Sequence, residues 1–75
     1  MRERFYNAEE FGAVLRSRRK ELGYTQGELA GLCGVSVSFI SDMERGKSTV
    51  EIGKALYVAG TLGINLYAVD RGSRL

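Results

Sequence analysis

The chain has no histidine and a single cysteine. Without His, neither a Ser/His nor a Cys/His catalytic pair can be assembled, and zinc-ligand spacing is missing. A lone Cys cannot close an intramolecular disulfide, so Cys33 reads as a small buried hydrophobe in a reducing compartment. Long apolar runs are also missing. No stretch approaches the ~20 residues that a membrane-spanning helix needs, and no signal peptide is expected, which places the chain in the cytoplasm. Charge of one sign is scarce: 11 Lys and Arg face 9 Asp and Glu, for a net +2. So mild an excess does not by itself demand a nucleic-acid partner, and the position of the charge decides. Nothing suggests an enzyme, a cofactor or a metal. Seventy-five residues make one small domain, 1–75, with a thin core that gains from oligomerisation.

What is present centres on residues 26–45, QGELAGLCGVSVSFISDMER. They read as two short helices, about Gln26–Cys33 and Ser36–Arg45, joined by a tight turn. Thr25 and Glu28 form a T-x-x-E capping box, and Ser36 caps the second helix. Gly34 stands where a helix ends and φ > 0 is needed. Leu29 with Cys33, and Ile40 with Met43, share faces that two steeply crossed helices would bury. Val35 plugs the turn, and Ala30 is small where the helices approach. This is the helix-turn-helix pattern. At ~100° per residue, Ser38, Ser41, Asp42 and Arg45 cluster opposite Ile40 and Met43. That face is short and polar, which suits a helix entering the major groove of double-stranded DNA.

Around this core, the capping pattern N-x-x-E at Asn7 and Glu10 starts a helix over about 8–22, ending at Gly23. Phe11, Leu15 and Leu22 form its stripe, with Val14 beside it. Phe5 and Tyr6 in the lead-in either staple this helix or pair as a short strand. Arg16, Arg18, Arg19 and Lys20 crowd its end. Arg16 and Lys20 point away from the stripe and are either a solvated face or phosphate contacts. Arg18 and Arg19 flank it, so at least one should be partly buried and paired. Ser48 and Glu51 read as a capping box for a helix over about 49–62, with Val50, Ile52, Leu56, Ala59 and Leu62 on its apolar side. From 64 to 69 the period changes to two, as in a strand. An isolated strand leaves its amides unpaired, so this one should pair antiparallel with its own copy in a homodimer, with Ile64, Leu66 and Ala68 over the cores. Residues 70–74 read as a polar, frayed tail.

T-Q-x-E-L-A at 25–30, G-V-S at 34–36, F-I-S-D-M-E-R-G-K at 39–47 and L-G-I at 62–64 resemble the XRE, lambda-repressor-like helix-turn-helix family. The ending, with Gly46-Lys47-x-Thr49-Val50 and then L-G-I-N-L, is similar to the HipB-type antitoxins. The fold so implied is all-α: a compact four- to five-helix DNA-binding domain with a short C-terminal β-strand pairing across a dimer. The resemblance implies that Gln26 contacts phosphate, that Ser36, Val37, Ser38 and Ser41 face bases, and that Arg45, Lys47 and Ser48 follow the backbone. It also implies an ion pair between Arg19 and Glu44. Val37 and Ser38 depart from phage repressors, which carry Gln there. Asp42 adds a negative charge near the groove, where it either accepts from a cytosine amine or repels phosphate.

The function expected is that of a DNA-binding repressor, homodimeric on a palindromic operator, and the antitoxin of a pair whose toxin is a HipA-like kinase. A stand-alone phage-type repressor or a restriction–modification controller shares the same size and motif. A protein-binding module with a decayed DNA face is the reading from another class, and Asp42 with the low net charge is its support.

Overall fold

The computed structural model describes residues 1–72 and contains four helices: α1 (Ala8–Glu21), α2 (Gln26–Cys33), α3 (Val37–Glu44) and α4 (Ile52–Thr61). Each start is set by a side chain that replaces a missing intrahelical acceptor. Asn7 accepts from the Glu10 N–H at 2.8 Å and Ser36 from the Phe39 N–H at 3.0 Å. Thr25 and Glu28 close a reciprocal box, at 3.0 and 2.8 Å. The box expected at Asn7 does not close. The Glu10 carboxylate accepts instead from the Tyr6 N–H, one residue further out. Phe5 folds back onto Phe11, with ring centroids 5.1 Å apart, so the lead-in is a staple and not a strand.

Ten residues make the core: Leu15, Leu29, Ala30, Cys33, Ile40, Met43, Ala55, Val58, Ala59 and Leu62. α1 packs on α3, while α2 packs on both α3 and α4. Val35 lies partly buried in the turn, and Gly34 is left-handed at φ 68°. Leu22, expected on the α1 stripe, caps the helix and is exposed.

The last helix differs from expectation in two ways. It starts at Ile52, not near Thr49, and its N-cap is Glu51. The two Glu51 oxygens accept from the N–H groups of Gly53 and Lys54 at 3.1 and 2.7 Å. A carboxylate satisfies two orphan amides and complements the helix dipole, which a Ser48 hydroxyl cannot match. Its buried face also differs. Ala55, Val58, Ala59 and Leu62 point inward, whereas Ile52 and Leu56 are 65% and 48% exposed. Small Ala55 and Ala59 let the helix approach α2, and the larger residues fall on the other side.

Among the described residues no strand is assigned. The segment 64–70 has no regular structure in the single chain. Ile64 is half-buried against the core and its N–H bonds to the Ala59 carbonyl at 3.0 Å, but Leu66 and Ala68 are exposed. A ladder needs a second strand, and none lies among the described residues. The polar tail read at 70–74 falls partly outside the described residues.

Two glycines set how α1 meets α3. Gly12 is buried, and a β-carbon there would collide with the Met43 and Glu44 carbonyl oxygens. Gly46 lies at φ 84°, and a β-carbon on it would strike the Glu9 backbone. Gly12→Ala should therefore destabilise the protein by about 1–3 kcal/mol, despite a gain in helix propensity of up to ~1 kcal/mol. Gly31→Ala, in α2 with nothing within 4 Å of the added carbon, should stabilise it by about 0.5–1 kcal/mol. Urea titrations of both variants test the pair, and equal shifts in one direction would refute the close approach.

Candidate nucleic-acid interface

The interface is built on a buried fork. Arg19 Nε donates to Glu44 Oε2 at 2.6 Å, and Arg19 Nη2 donates to Glu44 Oε1 at 3.1 Å. Both residues are only 7% exposed. Arg19 Nη1 donates to the Tyr24 carbonyl at 2.7 Å, and Gln26 Nε2 donates to Glu44 Oε1 at 3.0 Å. One carboxylate therefore joins α1, the start of α2 and the end of α3. The hydrogen bonds to Glu44 raise the Arg19 guanidinium above its ordinary range, although burial works the other way. No buried side-chain polar atom among the described residues lacks a partner. This matters because an unpaired charge in such a site is costly.

Arg18 is engaged as well. Its Nε donates to the Leu62 carbonyl at 2.9 Å, closing the end of α4, and its Nη1 pairs with Glu21 at 3.3 Å. Arg16 and Lys20 are exposed, with no side-chain hydrogen bond or ion pair among the described residues.

On the outer face of α3, Ser36, Val37 and Ser38 are exposed. The Ser36 oxygen is held by its own cap, leaving its O–H free to donate. Ser41 Oγ accepts from Arg45 Nη1 at 2.8 Å. Asp42 is bracketed: Oδ1 accepts from Arg45 Nη2 at 2.6 Å, and Oδ2 lies 3.5 Å from Lys47 Nζ. Its charge is matched locally by two cations. The chain turns sharply here. The Gly46 N–H bonds to the Met43 carbonyl and the Lys47 N–H to the Asp42 carbonyl, at 3.1 and 3.0 Å, which is the Schellman closure of a helix end. This turn carries Lys47 back to Asp42 on α3, while the exposed Ser48 lines the groove between the lead-in and α4.

Gln26 is tied inward to Glu44, so one N–H of its amide remains for another acceptor. Sequence reasoning did not place this bond, nor the Tyr24 carbonyl on Arg19, nor Gly12. A backbone carbonyl, or a glycine inside a helix, gives no chemical signal in one dimension. No group of three or more potential metal ligands is present among the described residues.

Two short crossed helices, a tight glycine turn and a polar outer face define a helix-turn-helix domain. A helix-turn-helix family profile matches residues 15–68. An uncharacterized HTH-type transcriptional regulator, y4mF of Sinorhizobium fredii, is 43% identical over 74 residues, 99% of this chain and 97% of that one. The HTH-type transcriptional regulator DdrOP3 of Deinococcus deserti is 33% identical over 58 residues, 77% of this chain and 45% of that one. Among solved structures, a HipB–O2 20mer complex superposes with a TM-score of 0.85 at 20% identity, covering 95% of this chain and 99% of that one. The HipB chain of a HipA-HipB-O2-O3 complex gives 0.84 at 20% identity, covering 93% and 99%. At that identity the shared feature is the fold. The chain belongs to the XRE-type helix-turn-helix family of transcriptional regulators.

Removing Glu44 strands Arg19 in a buried site. Glu44→Ala should cost on the order of 3–5 kcal/mol, most of the stability of so small a domain. Circular dichroism should show it largely unfolded at 37 °C. A normal melting curve would show that the fork is not what joins the helices.

Proposed function

We propose that this chain is a DNA-binding repressor that acts in the cytoplasm as a homodimer on a palindromic operator. The observation that carries this reading is the outer face of α3. Its short side chains, Ser36, Val37, Ser38 and Ser41, stand on the helix that carries Arg45 at its end and Lys47 against Asp42, and the buried fork behind it fixes its orientation. A helix presented this way can enter a major groove about 12 Å wide, with cations at its rim against phosphate. Gln26 would add a phosphate contact at the start of α2, and Arg16 and Lys20 stay available on α1. Asp42 gives little support to a decayed DNA face, because Arg45 and Lys47 already balance its charge.

Dimerisation is proposed through residues 64–69. Ile64, Leu66 and Ala68 would pair with their copies and cover both cores. An open apolar groove of about 420 Å³, lined by Phe5, Phe11, Ile52, Leu56 and Leu66 among others, supports the need for a covering surface. A two-fold pair of strands would also set the recognition helices about 34 Å apart, one turn of B-DNA. The likeness to structures of HipB with an O2 20mer and of HipA-HipB-O2-O3 supports an antitoxin role beside a HipA-like kinase toxin. A kinase-like gene next to the coding sequence would favour it over a stand-alone repressor or a restriction–modification controller.

Binding to DNA from upstream of its own gene should be strongly salt-dependent. Each phosphate neutralised adds about −0.9 to the slope of log K against log salt. A flat response would rule out this mode. Ser38→Ala should relax base discrimination, a lost base contact being worth roughly 1–3 kcal/mol. In sedimentation, Leu66→Pro should be monomeric and bind the palindrome weakly, since Pro removes a ladder donor. A dimer that still bound normally would move the interface to α4.

A further inference from the structure

The family likeness puts Ser41 among the base-facing groups and Arg45 along the backbone; the order of these side chains at the surface points the other way. Arg45 is the C-cap residue of α3, and its side chain runs back along the helix toward Ser41 and Asp42. It lies outside them: the Arg45 side chain is 70% exposed and that of Asp42 is 30% exposed. Ser41 is half-buried. A surface approaching this part of the helix meets the guanidinium before it meets the hydroxyl or the carboxylate.

We infer that Ser41 and Asp42 are positioning residues that act through Arg45, and that Arg45 is the group on this part of α3 that reads a base edge. The inference rests on the operator-binding reading above. Ser41 Oγ takes Nη1 and Asp42 Oδ1 takes Nη2, so the two ends of the fork are held by two different residues. Together they favour one position and one plane of the guanidinium. Two of its five N–H bonds are engaged and three stay available, among them Nε–H. A planar donor group with free N–H bonds matches the O6 and N7 acceptors of guanine, the commonest specific contact in the major groove.

An unrestrained arginine on a surface helix loses much of its rotamer freedom when it docks. Here that freedom is already restricted before DNA arrives, which favours binding in the one orientation that is held. Lys47 Nζ lies 3.5 Å from the other Asp42 oxygen, which keeps the carboxylate turned toward the end of α3.

The test is a double-mutant cycle read as a specificity ratio. The probes are a fragment from immediately upstream of the chain's own coding sequence and a scrambled fragment of the same length and composition. The ratio of the two dissociation constants is measured at one salt concentration. Ser41→Ala and Asp42→Ala should each lower the ratio about tenfold, the size of one modest base contact. Arg45→Ala should lower it at least as far. In the double variants Ser41→Ala/Arg45→Ala and Asp42→Ala/Arg45→Ala the ratio should stay at the Arg45→Ala level, because the residue they act through is gone. Asp42→Asn keeps an oxygen for Nη2 and should retain most of the ratio.

Losses that multiply in the double variants would show that Ser41 and Asp42 touch the DNA themselves, overturning the inference. So would an unchanged ratio in Asp42→Ala, or an Asp42→Asn variant as poor as Asp42→Ala. A wild-type protein with no preference between the fragments and no salt dependence would fail at the earlier step. It would overturn the operator reading, and this inference with it.

Discussion

The fork between Arg19 and Glu44 is the contact on which the other parts of the domain depend. Two nearly buried charges are tolerable only when every donor and acceptor around them is answered. Here Arg19 has Glu44 on one side and the Tyr24 carbonyl on the other, and Glu44 has Gln26 as well. Tyr24 and Gln26 flank the start of α2, so three elements are joined by two side chains. A hydrophobic contact in the same place would join them as firmly, but it would not specify one angle. The bidentate geometry permits a narrow range of orientations between α1 and α3.

The close approach of the helix backbones follows from the same arrangement. For Arg19 to reach Glu44, α1 must lie against the end of α3, and Gly12 removes the carbon that would prevent it. Gly46 does the same one turn away, where the chain passes the start of α1. The turn after α3 is therefore held from two directions, by the Schellman closure within it and by α1 behind it. A rigid turn holds Lys47 near Asp42 and, with Arg45, keeps the outer face of α3 from being a loose set of side chains.

The surface around α4 and the C-terminal segment is much less complete. Ile52, Leu56, Tyr57, Leu66 and Tyr67 are exposed in the single chain, and among the described residues after Gly63 one backbone bond runs into the body, from Ile64 to Ala59. A folded domain of this size has little apolar area to leave in water. The polar face of α3 and the apolar face around α4 are thus different kinds of surface, suited to different partners.

The starts of the first three helices and the stops after the first two were legible in the sequence alone. Asn7, Thr25, Ser36, Gly23 and Gly34 act over three or four residues, and local hydrogen bonds decide their effect. The buried faces of α2 and α3 were legible because Leu29 with Cys33, and Ile40 with Met43, fall at helical spacing on one face, which leaves Leu32 and Val37 outside it. Tertiary packing decided the rest. The face of α4 was misread because Ile52 and Leu56 are larger than Ala55 and Ala59, while the approach to α2 selects small residues. The start of α4 passed from Ser48 to Glu51 because a carboxylate can answer two amides. Arg19 and Glu44 lie 25 positions apart, and local pattern does not connect them; only the family likeness named the pairing. Ser41, Asp42 and Arg45 were visible as neighbours on one face. Which of them stands outermost depends on the path of the Arg45 side chain, and that path exists only once the helix end is folded.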